Sequence, residues 1–111
     1  MTPMRPPYLK LSPLEYWKRN CFSAIESGEA EVGSVVELLG GADNICVSSD
    51  FPHFDSSFPD VSNRVLNNPS ISKDIAGKIL SGGARLYGFG EADFAKAAAA
   101  AKRHDNIAGH D

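Results

Sequence analysis

Only two short segments of this chain read as β-strands, and that limits what it can fold into. Cys21-Phe22-Ser23-Ala24-Ile25 and Ile45-Cys46-Val47-Ser48 are the runs with β-branched and aromatic character, the first the weaker of the two. Between them Glu26, Gly28, Glu29 and Glu31 form a turn and a helix start. Val32, Val35, Val36, Leu38 and Leu39 then give an apolar helical face, and Gly40-Gly41 supplies the stop. A strand, a crossover helix and a second strand predict a parallel pair, the α/β pattern. Parallel sheets need both faces covered, and two strands are too few to form such a sheet independently. The chain therefore reads as part of a larger sheet, with the rest missing or supplied by a partner.

The flanking segments read as helices. Ser12-Pro13-Leu14-Glu15 has the residues of a capping box with proline at the first helical position, and the helix is expected to run to about Arg19. After the second strand comes a polar, proline-punctuated loop. Val61, Val65 and Leu66 then predict a short helix ending before Pro69. Another helix begins near Ser72, with Ile75, Ile79 and Leu80 on one face, and Gly82-Gly83 is expected to interrupt it. Residues 84–89 close the ordered part. Five consecutive alanines between Lys96 and Lys102 favour helix but have little to bury. The expected organisation is a body over residues 1–89 and an exposed, Ala-rich helical tail over 90–111 with a frayed end. His104 and His110 in that tail read as solvated rather than as a metal site.

Composition excludes several classes of function. The net charge is −3, and basic residues collect on no one segment, which argues against nucleic acid as a partner. No apolar stretch approaches the ~18 residues of a membrane span. Met1 to Pro7 carries a charge with no apolar run behind it, so no secretory signal is expected. Cys21 and Cys46 fit no CxxC or zinc-type spacing. They are expected to be buried, reduced thiols in a cytoplasmic protein.

The segment Ser49-Asp50-Phe51-Pro52-His53-Phe54-Asp55 carries the chemistry. It places a carboxylate, an imidazole and a second carboxylate where the Ile45–Ser48 strand gives way to a loop. In α/β proteins sites form at the carboxyl ends of strands. Strand alternation would put Asp50, Ser48 and Cys46 on one side, with Ile45 and Val47 packed against helices. A carboxylate so placed can bind a divalent metal or take a proton from water on that metal. His53 can bind a substrate anion, act as an acid or orient a ligand. An aspartate ahead of an X-Pro turn also serves simply to cap loop N–H groups, so spacing alone leaves both roles open. The chain has no His-x-His, HExxH, GxGxxG or P-loop pattern.

Three segments, in order, resemble the amidohydrolase-related family, in its aminocarboxymuconate-semialdehyde decarboxylase-like branch of metal-dependent TIM-barrel enzymes. Leu11 to Phe22 resembles the family's Pro-Ser-Glu-Tyr segment, Val47 to Asp55 its Ser-Asp-x-Pro-His-x-Asp signature, and Ile79 to Phe89 its closing helix, about one residue shorter than usual. The resemblance covers residues 8–89. It implies that residues 20–26 and 44–50 are the last two strands of an incomplete (β/α)8 barrel. It implies that Asp50 is the metal-binding, proton-handling aspartate, and it matches His53 to a frequent family position. A divalent metal, zinc by expectation, would be held only in a completed barrel, because the family's His-x-His pair and mid-barrel histidine have no counterpart here. The implied partners are a small-molecule substrate and either a complementary N-terminal barrel chain or further copies of this one. Two readings follow. One is a fragment of a metal-dependent hydrolase or decarboxylase. The other is a truncated, catalytically inactive relic or interaction-only polypeptide.

Overall fold

The computed structural model describes residues 6–108, with side-chain burial described through residue 103. Residues 1–5, His110, the side chain of His104 and the frayed end expected after residue 108 lie outside the described residues.

The elements follow in the order α1 (Pro13–Asn20), β1 (Ser23–Glu26), α2 (Val32–Leu39), β2 (Ile45–Ser48), α3 (Val61–Leu66), α4 (Lys73–Leu86) and α5 (Glu91–Ala108). Helix α1 starts with the capping box in its sequence. The Glu15 amide donates to Ser12 Oγ (3.2 Å), and the Ser12 amide donates to Glu15 Oε2 (2.7 Å). Helix α2 ends on Gly40, whose left-handed φ of 71° an alanine would adopt only at a cost.

Strands β1 and β2 pair in parallel, Ser23 opposite Ile45 and Glu26 opposite Ser48, with α2 as the crossover. Among the described residues the sheet has these two strands. Its core lies on one side. Val32 and Val36 of α2, Ile45 of β2, Val65 of α3, and Ala76 and Ile79 of α4 are buried together with Ala42. Trp17, Ile25 and Val47 pack half-buried against that cluster. In β1 only Ile25 is partly buried, and Ser23, Ala24 and Glu26 are exposed.

Two sequence expectations need correction. Cys21 is not a buried strand residue. It is the exposed C-cap of α1, and β1 begins at Ser23 because the Cys21 amide still bonds to the Trp17 carbonyl. Asn44 adds to this by donating Nδ2 to the carbonyls of Lys18 (2.8 Å) and Cys21 (2.7 Å), tying the end of α1 to the start of β2. Cys46 is half-buried. Second, Gly82-Gly83 does not interrupt its helix, and α4 runs unbroken for 14 residues. Gly82 is buried against β2. A Cβ there would clash with the Ile45 carbonyl oxygen and stand 3.0 Å from Cys46 Cα. The glycine costs helix propensity locally, and close helix–strand packing offsets that cost.

A second close approach anchors α2. A Cβ on Gly33 would clash with the Ser70 carbonyl, and the Gly33 amide donates to Ser70 Oγ at 3.1 Å. Asn68, 8% exposed, links the same region. It donates Nδ2 to the Glu29 carbonyl (2.9 Å) and accepts from the Ser70 amide (2.9 Å) and hydroxyl (2.7 Å). The β1–α2 loop and the α3–α4 loop are thereby fixed to each other. Residues 91–103 of helix α5 are exposed except at the half-buried Phe94. The radius of gyration is 17.6 Å, against about 13 Å for a compact domain of this length.

Candidate functional site

Parallel pairing places the carboxyl ends of both strands at one end of the sheet, and the polar loops gather there. Strand geometry stops at Ser48, because Asp50 has a left-handed φ of 59°. The side assigned to Asp50 by strand alternation therefore does not carry through, and the turn aims its side chain instead. Aspartate tolerates this conformation better than most residues but not as well as glycine.

The loop after Asp50 closes on itself. The Ser57 amide donates to the Ser49 carbonyl (3.0 Å), the His53 amide to the Asp50 carbonyl (2.9 Å) and the Asp60 amide to the Ser57 carbonyl (2.8 Å). Phe51 and Phe58 meet across it, with ring centroids 4.7 Å apart. Ser48 and Ser49 accept from the amides of Asp50 and Phe51, each at 3.2 Å. These bonds give the loop backbone local partners, so it can hold polar side chains at its tip.

At the tip, His53 Nδ1 lies 3.2 Å from Asp50 Oδ2. Asp55 joins them, and one ligand-type atom from each of Asp50, His53 and Asp55 lies within 4.8 Å of the others. All three residues are exposed. Beside them a recess of about 250 Å³ opens between the strand ends, lined by Glu26, Ser27, Glu29, Asp50, Asp55 and Arg64 among others. The field is predominantly anionic, with four carboxylates and one guanidinium. Ser27, 1% exposed, lines the same recess, and among the described residues its buried hydroxyl has no hydrogen-bond partner.

Asp50 and His53, the residues singled out in the sequence, are thus brought together. The sequence reading set no role for Asp55, although it belongs to the same motif. Ser27 and the two glutamates beside it were missed. The available signal was the parallel pairing itself, since residues just after β1 must lie level with residues just after β2. Glu26 opposite Ser48 puts Ser27 beside Ser49.

The donor set suits a divalent cation. Two carboxylates and an imidazole are hard-to-borderline ligands with positions left for water. Among the described residues no helix is long and apolar enough to cross a membrane. Comparison with protein-family models, curated proteins and solved structures found no match.

Proposed function

We propose that this chain supplies the C-terminal strands of a metal-dependent, amidohydrolase-type (β/α)8 barrel acting on a small molecule by hydrolysis or decarboxylation. The observation that carries the reading is the position of Asp50. It follows the second strand of a parallel βαβ unit, at the carboxyl end where barrel enzymes place their chemistry, with His53 in contact. The exposed β1 supports it as well, since among the described residues its outer edge and most of its side chains lack the cover that parallel strands take in complete folds.

Bound at this end, a divalent cation supplies Lewis acidity and lowers the pKa of water in its shell. Asp50 would help to hold the cation, and would accept a proton from the attacking water or return one to the product. His53 orients that carboxylate through its Nδ1 contact. Asp50 is one ligand where catalytic zinc takes about three from protein, so the others come from strands outside this sequence. The partner is a complementary barrel chain or another copy.

The test is co-expression with a fragment carrying the first six strands of an amidohydrolase-related barrel, including its His-x-His pair. The expected result is a stable one-to-one complex on size-exclusion chromatography with light scattering, holding stoichiometric zinc that Asp50→Asn removes. Separate elution of the two chains, or zinc retained in Asp50→Asn, would refute the reading. An inactive, interaction-only chain predicts association without metal.

A further inference from the structure

We infer that this chain associates head to tail with further copies of itself, the Phe54 tip of one copy seating in the apolar groove between the end of α4 and α5 of the next. The inference goes beyond the barrel reading and does not rest on it. It gives no part to Asp50 or His53.

The two surfaces differ in shape and lie at opposite ends of the body. Phe54 is fully exposed on the loop after β2, and the paired rings of Phe51 and Phe58 on the same loop are each more than half exposed. The groove has a volume of about 380 Å³, room for a phenyl side chain, and is lined by Ala84, Phe89, Asp93, Phe94, Lys96 and Ala97. Leu86, Tyr87 and Phe89, at the end of α4 and in the turn after it, are exposed. Near that end of α4, Gly82 packs on Ile45, the first residue of β2. Just ahead of α4, Asn68 and Ser70 bond to Glu29 and Gly33, beyond the last residue of β1. Helix α4 therefore runs back along the strands, and the groove lies at their amino end, away from the Phe54 loop. A tip at one end of the body cannot fill a groove at the other, so the fit is to a neighbouring copy.

Charge favours the same pairing. Asp55 adjoins Phe54, and Asp60 lies further along the loop. Lys96 lines the groove, and Arg103, seven residues on, shares its helix face. Neither cation makes an ion pair among the described residues. Asp93, the acidic residue of the groove, is engaged by the Gly90 amide at 2.9 Å. The tip thus brings carboxylates to a groove with unpaired cations beside it. Phe51, Phe54, Phe58, Leu86, Tyr87 and Phe89 together expose roughly 800 Å². Stable interfaces bury about 1,200–2,000 Å², so this contact is weak and reversible, half formed at roughly 0.1 mM. Tip and groove are different surfaces, so each docked pair keeps a free tip and a free groove. The assembly grows as an open series and does not close as a two-fold dimer.

The test uses the full chain in sedimentation velocity and light scattering, from about 10 µM to about 1 mM. The weight-average mass should climb past twice that of one chain. Phe54→Ser removes the tip, and Ala97→Glu puts a carboxylate into the groove at an exposed helical position that accepts glutamate. Each should weaken association more than about tenfold, with the parent's circular dichroism retained. Mixing the two variants should restore association that stops at two chains, because one intact tip then meets one intact groove. A parent that stays monomeric at about 1 mM would overturn the inference, as would a mixture of the variants that stays monomeric. Parent-like association in either variant would also overturn it, the result expected if copies join through the β1 edge instead. So would binding to phosphatidylcholine vesicles that Phe54→Ser abolishes, in a chain that does not self-associate, since the tip would then serve a lipid surface.

Discussion

Replacing Gly82 by alanine tests the packing that positions the site. The new methyl gains about 1 kcal/mol of helix propensity in α4. It also enters the space of the Ile45 carbonyl oxygen and lies 2.9 Å from the Ile45 carbonyl carbon and 3.0 Å from Cys46 Cα. These are backbone atoms of β2, so no side-chain rotation relieves the clash. The strand must retreat from the helix, loosening the packing around Ile45 and Ile79, the largest fully buried side chains. Overpacking costs about 1–3 kcal/mol, and an immovable neighbour puts this case near 3. The net loss is about 2 kcal/mol. With a urea slope of about 2 kcal/mol per molar, the unfolding midpoint should fall by about 1 M. The same substitution at Gly77 and Gly83 meets nothing within 4 Å. Those variants should keep the propensity gain and rise by up to about 0.5 M. Urea titrations followed by circular dichroism at the helical band measure all three. A midpoint for Gly82→Ala at or above the parent's would refute the close-approach argument, and an equal fall at Gly77 would show that the loss is not specific to the strand contact.

The left-handed Asp50 predicts a stability series opposed to function. Asp50→Gly should stabilise the metal-free chain by up to about 1 kcal/mol, Asp50→Asn should leave it nearly unchanged, and Asp50→Ala should destabilise it by about 1 kcal/mol. Thermal unfolding checks the order, and all three should lose cation binding. Asn68→Ala removes one hydrogen bond between the two loops, to the Glu29 carbonyl, and two from Ser70 within the α3–α4 loop, and should cost about 1–3 kcal/mol, with faster amide exchange at Ser70 and Gly33. Ser27→Ala deletes a buried hydroxyl that has no partner among the described residues, so the metal-free variant should match or exceed the parent's stability in the same titration. Ser12→Ala breaks the capping box of α1 and should cost about 1 kcal/mol, visible as a lower melting temperature.

Local chemistry was legible in the sequence because it depends on neighbours along the chain. The Ser12–Glu15 capping box, the Gly40 stop and the Ile45–Ser48 strand each rest on residues within a turn or two of one another. So did the closeness of Asp50 and His53, three positions apart on a proline turn. The sequence also shows that two strands are too few for a covered parallel sheet. Tertiary structure decided the rest. Gly82 looked like a helix breaker, because its propensity is local while the β2 backbone that needs its missing Cβ is 37 residues away. Cys21 looked like a strand thiol until the end of α1 captured its amide. Ser27 drew no notice in the sequence, and only the register of β1 against β2 places it level with the start of the Asp50 loop. Propensity and capping act over a few residues. Which backbones touch, and which polar groups are left without partners, is settled only when distant segments pack together.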